Sequence, residues 1–297
     1  MDYKKIIPNH KLRLKILKSL SWIPDVFMLK VQYFIKFGRI LNLQSPKRFT
    51  EKLQWYKLNY QKKLMTMCSD KFSVREYVAS KGLSANLNQL YGVYESVEDI
   101  PFETLPKKYV IKTTNGSDTV LFCYNKVELN LNDVKYKLKD WLKRDLFSYS
   151  REWCYKNIKP KVIIEKLLED KNNQFNGIND YKFICFNGKA EYIVLDVDRQ
   201  IGHKRNFYDT NWNYIDVSSD RPNFKDCVPK PDNLDEMLKI ANILCKDFPF
   251  VRVDLYSIDS KIIFGELTFY PWTGYVPFYP DSFDYLLGQK FKLPDEK

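Results

Sequence analysis

Residues 250–274 read FVRVDLYSIDSKIIFGELTFYPWTG and set two carboxylates, Asp254 and Glu266, inside apolar runs that otherwise look like paired core strands. Buried carboxylates are costly unless they are paired or coordinate a metal. A strand alternates its faces, so Arg252, Asp254 and Tyr256 share one side, and Phe264, Glu266 and Thr268 share one side of the next run. A hairpin across SIDSK aims the two carboxylates, 12 positions apart, at one volume. Such hard oxygens suit Mg2+, which completes its octahedron with water and phosphate oxygens. The alternative is an edge hairpin whose wet face carries both acids, with Arg252 as an ordinary salt-bridge partner.

Three other segments bear on that choice. In YVIKTTNGSDTVLF, Lys112 ends an apolar strand before a turn-forming loop, Thr113, Thr114, Asn115, Gly116 and Ser117, whose backbone amides could close over phosphates while the lysine supplies a point charge. KVIIEKLLED ends an apolar strand in Glu165 and Lys166. The backbone of Lys166, Leu167 and Leu168 there can bond an adenine edge between aliphatic side chains, or the segment is a buried strand with a charged end. DYKFICFNGKAEYIVLDVDR places Asp180 and Lys182 on one strand face and Arg199 at the end of the partner strand, with HKRN following at 203–206. These cations could neutralise a transferring phosphoryl group, or form a solvated basic face.

The elements that position these residues follow from pattern. Residues 9–82 read as helices: KLRLKILKSL, PDVFMLKVQYFIKF, SPKRFTEKLQWYKLNY with Ser45 and Pro46 as N-cap and first-turn signal, and DKFSVREYVASKG ending at Gly82. YESVEDIPFETLPKK reads as a connection. From Tyr109 the period becomes that of strands: YVIKTT, TVLFCYN, KVIIEKLL, DYKFICFNG, AEYIVLDVD and NFYDTNWNYI, with a turn at Asn187-Gly188. NDVKYKLKDWLKRDL and DNLDEMLKIANILCKDF read as helices among them, the second with Leu234, Met237, Leu238, Ala241 and Leu244 on one face. A helical N-terminal part before strands with interspersed helices predicts a mixed helix-and-sheet body.

Composition narrows the class. A chain of 297 residues, 44% hydrophobic, can bury a substantial core in one large or two modest domains. Six cysteines without CxxC spacing and two histidines predict reduced cytosolic thiols rather than a zinc site or disulfide framework. The apolar stretch SLSWIPDVFMLKVQYFIKFG is broken by Pro24, Asp25, Lys30 and Lys36, which argues against a signal peptide or membrane span. A net charge of +11 predicts anionic partners: phosphates, acidic polymers or anionic lipid surfaces.

The chain resembles the TupA-like ATP-grasp ligases of teichuronopeptide and polysaccharide biosynthesis, from SPKRFTEKLQW through DKFSVREYVASKG, LYGVYESVEDI, DYKFICFNG, FYDTNW and GELTFYPWTG to FYPDSFDYLLG. The resemblance implies an α+β ATP-grasp fold with a helical N-terminal region. Its parts would be a mostly helical region over 1–105, a small lobe with phosphate loop and adenine hinge over 106–170, and a large lobe with the Mg2+ hairpin over 171–297. It implies ATP and Mg2+ as cofactors. By position Lys112 is the phosphate lysine and 113–119 the lid loop, Glu165 to Leu168 the hinge, and Glu169 or Asp170 a ribose partner. Lys182 and Arg199 are triphosphate cations, Asp254 and Glu266 the metal carboxylates, and Arg252 the stabiliser of a tetrahedral oxyanion. The implied reaction forms an amide through an acyl phosphate, joining an amine or amino acid to a carboxylate-bearing sugar or polysaccharide precursor in the cytoplasm or at the inner membrane face. An anionic membrane surface is an implied contact, and no nucleic acid is expected. Three positions depart from the family pattern. Glu266-Leu267-Thr268 replaces the usual Glu-x-Asn, making a hydroxyl or water the third metal ligand. The loop TTNGSD lacks the usual histidine and second glycine, and Lys166 stands where a second acid is common.

Two rival readings have their own residues. Asp196-Val197-Asp198 is a DxD pattern of the kind that holds a metal and nucleotide sugar in glycosyltransferases. Trp55, Trp141, Trp153 and Tyr208, with the basic charge, could form a non-catalytic stacking platform for nucleic acid, although no known nucleic-acid-binding signature accompanies them.

Overall fold

The computed structural model describes residues 9–170, 173, 175–199, 201–225 and 228–294. Its N-terminal part is helical, as expected: His10–Ser19 (α1), Asp25–Phe37 (α2), Phe49–Asn59 (α3), Lys63–Ser69 (α4) and Val74–Ser80 (α5). Gly38, left-handed at φ 70°, stops α2. Helix α3 begins later than the Ser45-Pro46 signal predicts, because Glu51 accepts from the backbone N–H groups of Lys47 (2.9 Å) and Arg48 (3.1 Å) and so supplies the cap itself.

Four strands form the smaller sheet: Leu90–Tyr94 (β1), Tyr109–Thr113 (β2), Val120–Cys123 (β3) and Val162–Glu165 (β4). Their spatial order is β1-β4-β2-β3, all antiparallel. The strand β1 was not legible in the sequence, where its run merges with the acidic connection after it. Helix Leu131–Leu142 (α6), capped by Asn130, covers this sheet with Val134 and Leu138 against Tyr109, Ile111, Val162 and Ile164. The short helix Leu146–Ser150 (α7) follows.

The larger sheet contains Asp180–Phe186 (β5), Lys189–Val197 (β6), Lys204–Asp209 (β7), Tyr214–Ile215 (β8), Phe250–Ile258 (β9) and Lys261–Thr268 (β10). Its order is β10-β9-β5-β6-β7-β8, again antiparallel. Two tight turns set the registers. Asn187 and Gly188 have φ of 50° and 80°, and Asp259 and Ser260 have φ of 48° and 62°, the paired positive values that match strand twist in two-residue hairpins. Helix Leu234–Cys245 (α8) buries Leu234, Met237, Ile240, Ala241 and Leu244 in the core of this sheet. Helix Ser282–Lys290 (α9) returns to α3, where Asp284 accepts from the Thr50 N–H and hydroxyl. Cys68, Cys123, Cys154, Cys185 and Cys245 are buried free thiols; Cys227 lies outside the described residues.

Candidate active site

The hairpin of β9 and β10 forms as the alternation predicts, with Glu266 opposite Asp254 and Thr268 opposite Arg252. A bulge between Phe264 and Glu266 brings this about. Gly265 sits in it, where a Cβ would stand 3.0 Å from the Asp254 carbonyl oxygen and 3.2 Å from the Tyr256 ring. Three oxygens converge on one nitrogen: Arg252 Nη2 donates to Asp254 Oδ2 at 2.7 Å, Glu266 Oε1 at 2.9 Å and Thr268 Oγ1 at 3.0 Å. The guanidinium occupies the point to which these donors turn. Burial pushes the Asp254 carboxyl up to about 6 despite Arg252 and Lys182. Burial would raise Glu266 too, but Arg252, Lys182 and Lys71 together hold it down to about 2.

This donor set fits Mg2+ as the ion of a nucleotide phosphate. It offers two carboxylates and a hydroxyl, all hard oxygens, once the Arg252 guanidinium that bonds all three gives way, and water and phosphate would complete the shell. Among the described residues no group of three or more His, Cys, Asp or Glu side chains is arranged to hold a metal, so these residues do not form an all-carboxylate cage.

Beside the hairpin, on β5, β6 and β7 of the same sheet, lies a lattice of alternating charge. Lys182, paired in register with Asp254, donates to Asp254 Oδ2 at 2.9 Å and to Asp180, and lies 3.9 Å from Asp196. It is 5% exposed, so it is a cation held among carboxylates rather than one open to solvent. Arg199, with half its side chain exposed, bonds Asp180 at 2.6 Å. Arg205 grips Asp196 with two bonds of 2.6 and 3.0 Å and reaches Asp220 at 2.7 Å. The DxD pattern is therefore structural: Asp196 is buried on Arg205, and Asp198 turns away at φ 51° to accept from the Asn176 N–H at 2.8 Å. The aromatic platform is not assembled either. Trp55 and Tyr208 are buried, the latter stacked on Trp212 at 4.3 Å.

The smaller sheet supplies a second set of charges. Glu165 joins Lys112 (2.7 Å) to Arg75 (3.1 Å). Thr113, Thr114 and Asn115 are buried and pin the loop: Thr114 N–H donates to the Lys161 carbonyl at 2.9 Å, and Asn115 Nδ2 to the Arg144 carbonyl at 3.0 Å. The hydroxyls of Thr113 and Thr119 and Asn115 Oδ1 are buried without partners. Past Gly116, Ser117 and Asp118 are exposed. At the hinge, Lys166 N–H donates to the Gln89 carbonyl at 2.9 Å and its own carbonyl accepts from Asn88 at 2.9 Å. Both backbone groups of Lys166 are engaged within the protein. Glu169 pairs with Lys108 at 2.8 Å.

A cavity of about 280 Å3 is bordered by Gly116–Asp118 and by Arg252, Glu266 and Thr268; Asp254, Lys112, Lys182, Arg199 and residues 165–168 are not among its lining residues. Its walls also include residues that the sequence pattern does not single out, among them Lys71, Glu152, Tyr155 and Trp272. Lys71 donates to the Gly116 carbonyl; burial lowers its ammonium below the ordinary value, against the pull of Glu266. Glu152 is 6% exposed, and burial raises its carboxyl to about 7 although Lys57 and the Thr273 hydroxyl oppose the shift. Lys57, itself 2% exposed, bonds the carbonyls of Thr273 (3.0 Å) and Ser150 (3.1 Å), and burial lowers it to about 8.

Two antiparallel sheets, with a cavity bordered by the Gly116–Asp118 loop on one side and by the Glu266-bearing hairpin on the other, are the architecture of an ATP-grasp fold. The chain belongs to the TupA-like ATP-grasp family, whose model matches residues 51–292. ATP-grasp ligases bind ATP and use Mg2+, and these are its cofactors. No curated protein matches it. Among solved structures it is similar to D-alanine–D-alanine ligase from Bacillus anthracis, at 20% identity over 68% of this chain and 57% of that one, with a TM-score of 0.44. It is also similar to L-amino acid ligase from Bacillus licheniformis, at 12% identity over 83% of this chain and 53% of that one, with a TM-score of 0.44. The chain thus spans little more than half the length of these two.

Proposed function

We propose that the protein is an ATP-dependent carboxylate–amine ligase that joins an amino acid or other amine to a uronic acid of a surface polysaccharide or its precursor. The observation that carries this reading is the convergence of Asp254, Glu266 and Thr268 on Arg252, with Glu266, Thr268 and Arg252 lining a cavity that Lys71 and the Gly116–Asp118 loop also line. Mg2+, when bound, neutralises charge on the transferring phosphoryl group. The acceptor carboxylate oxygen attacks the γ-phosphorus and ADP leaves; the amine nitrogen then attacks the acyl carbon, and phosphate leaves as the amide forms. Lys112, Lys71 and the outer edge of Arg199 hold phosphate oxygens, and Leu167 or Leu168 reads the base. Arg252 reaches the cavity and stabilises the tetrahedral oxyanion. The net charge of +11 favours a polyanionic acceptor.

Glu152 takes the proton that the attacking ammonium must lose. A carboxyl near 7 is matched to that transfer at neutral pH. Only its deprotonated form accepts, so kcat/KM falls as pH drops through about 7. Glu152→Gln removes this acid limb and lowers kcat by about 10^2 to 10^4. The check is a pH profile of ADP release with glucuronic and galacturonic acids and an amino acid mixture. An acid limb unchanged in the variant removes Glu152 from the step, and absence of ADP release with any acid and amine pair counts against the ligase reading itself.

A further inference from the structure

The helices α1 and α2 carry an unusual surface. Of the 19 large hydrophobic side chains exposed among the described residues, nine lie between Leu12 and Ile40. Helix α2 is apolar on two faces. Met28, Leu29 and Tyr33 are buried inward, while Phe27, Val31 and Phe34, spaced at one helical face, are 59%, 37% and 56% exposed. Trp22, in the turn between the helices, is 79% exposed. Helix α1 exposes Leu12 and Ile16, one turn apart.

Charge accompanies the apolar strip. From Asn9 to Ile40 the chain has seven Lys or Arg residues and one acid, Asp25, so this short segment accounts for six of the eleven net positive charges. Asp25 is neutralised by Arg151 at 2.6 Å. Arg151 also donates to the carbonyls of Leu20 and Ser21, fixing the helix pair to the body beside Glu152. Lys15, Lys18 and Lys30 are exposed.

We infer that the α1–α2 pair docks the protein onto the surface of an anionic lipid bilayer. Exposed aromatic and branched residues enter the boundary between headgroups and acyl chains, and the lysines around them meet lipid phosphates. No helix among the described residues is long and apolar enough to cross a membrane. At 13 residues α2 is about 20 Å long, short of the roughly 30 Å of a hydrocarbon core, so it lies on the bilayer. A second copy of the chain is the poorer occupant, because a two-fold contact would set this basic face against itself. The inference does not depend on the ligase chemistry.

The test is cosedimentation of the full chain with vesicles of phosphatidylcholine alone and with phosphatidylglycerol added. Binding is expected to the anionic vesicles, and to fall as salt rises. Lys15→Glu with Lys18→Glu and Lys30→Glu should weaken it by about tenfold or more. Phe27→Ser with Phe34→Ser should weaken it comparably with melting temperature and Mg-ATP binding retained, since neither side chain is in the core or at the site. Equal binding to both vesicle types, no binding to either, or indifference to both variants overturns the inference. So does a dimer in sedimentation velocity that the phenylalanine variant dissociates, which assigns the face to self-association.

Discussion

Glu266→Gln will lower ADP release by about 10^3, on the order of 4 kcal/mol of transition-state stabilisation, while changing folding stability by less than about 1 kcal/mol. The contrast follows from position. Almost half of the Glu266 side chain is exposed, and of the groups it touches, Arg252 keeps its two bonds to Asp254 when Glu266 becomes neutral. What is lost is a carboxylate held down to about 2, ionised at every working pH and turned to the cavity. Asp254→Asn is a less clean test. Both its oxygens are bonded by Arg252 and one also by Lys182, at 2% exposure, so the substitution leaves buried cations short of a partner and costs about 3–5 kcal/mol as well as activity. Thermal melts beside ADP release, for both variants, check this. A Glu266→Gln enzyme with ordinary turnover would return the hairpin to a structural salt bridge.

Lys112→Ala will weaken Mg-ATP binding by about 10- to 100-fold, the loss of one charge-assisted bond to phosphate. Lys112 rests on Glu165 at 2.7 Å with a quarter of its side chain exposed, poised at the strand end before the loop. Its carboxylate partner keeps Arg75, so the fold should tolerate the change. Glu165→Gln separates the two roles: it frees Lys112 without removing its charge and should reduce affinity far less. Calorimetric titration of both variants is the check, and undiminished affinity in Lys112→Ala would remove that lysine from the nucleotide site.

The readable and unreadable parts of this site divide along physical lines. Asp254, Glu266 and Thr268 were legible as members of one hairpin because strand alternation and a tight turn are local, but the register that sets Glu266 opposite Asp254 depends on the bulge. The bulge at Gly265 that completes the alignment leaves little mark in the sequence. Lys182 looked like an open cation because its neighbours in sequence show only Asp180; its register with Asp254 exists only once β5 pairs with β9, 72 positions away. The same holds for Asp196, whose DxD spacing is local but whose partner, Arg205, arrives with β7. Lys71 stands near the start of a run that reads as helix but sits in the turn before it, bonded to the Gly116 carbonyl, and Glu152 sits in a segment with no strand or helix signature; no periodicity announces that either lines the cavity. Helix α3 illustrates a cap residue outcompeted: Ser45 had the right chemistry, but the Glu51 carboxylate reaches two backbone N–H groups at once.

The most direct measurement is calorimetric titration of the wild-type protein with ATP and with UDP-glucose, each with and without Mg2+. One ATP is expected to bind per chain in the presence of Mg2+, much more weakly without it, with no heat from UDP-glucose under either condition. Binding of UDP-glucose in the absence of any ATP site would contradict the assignment of this hairpin and cavity to an ATP-dependent ligase.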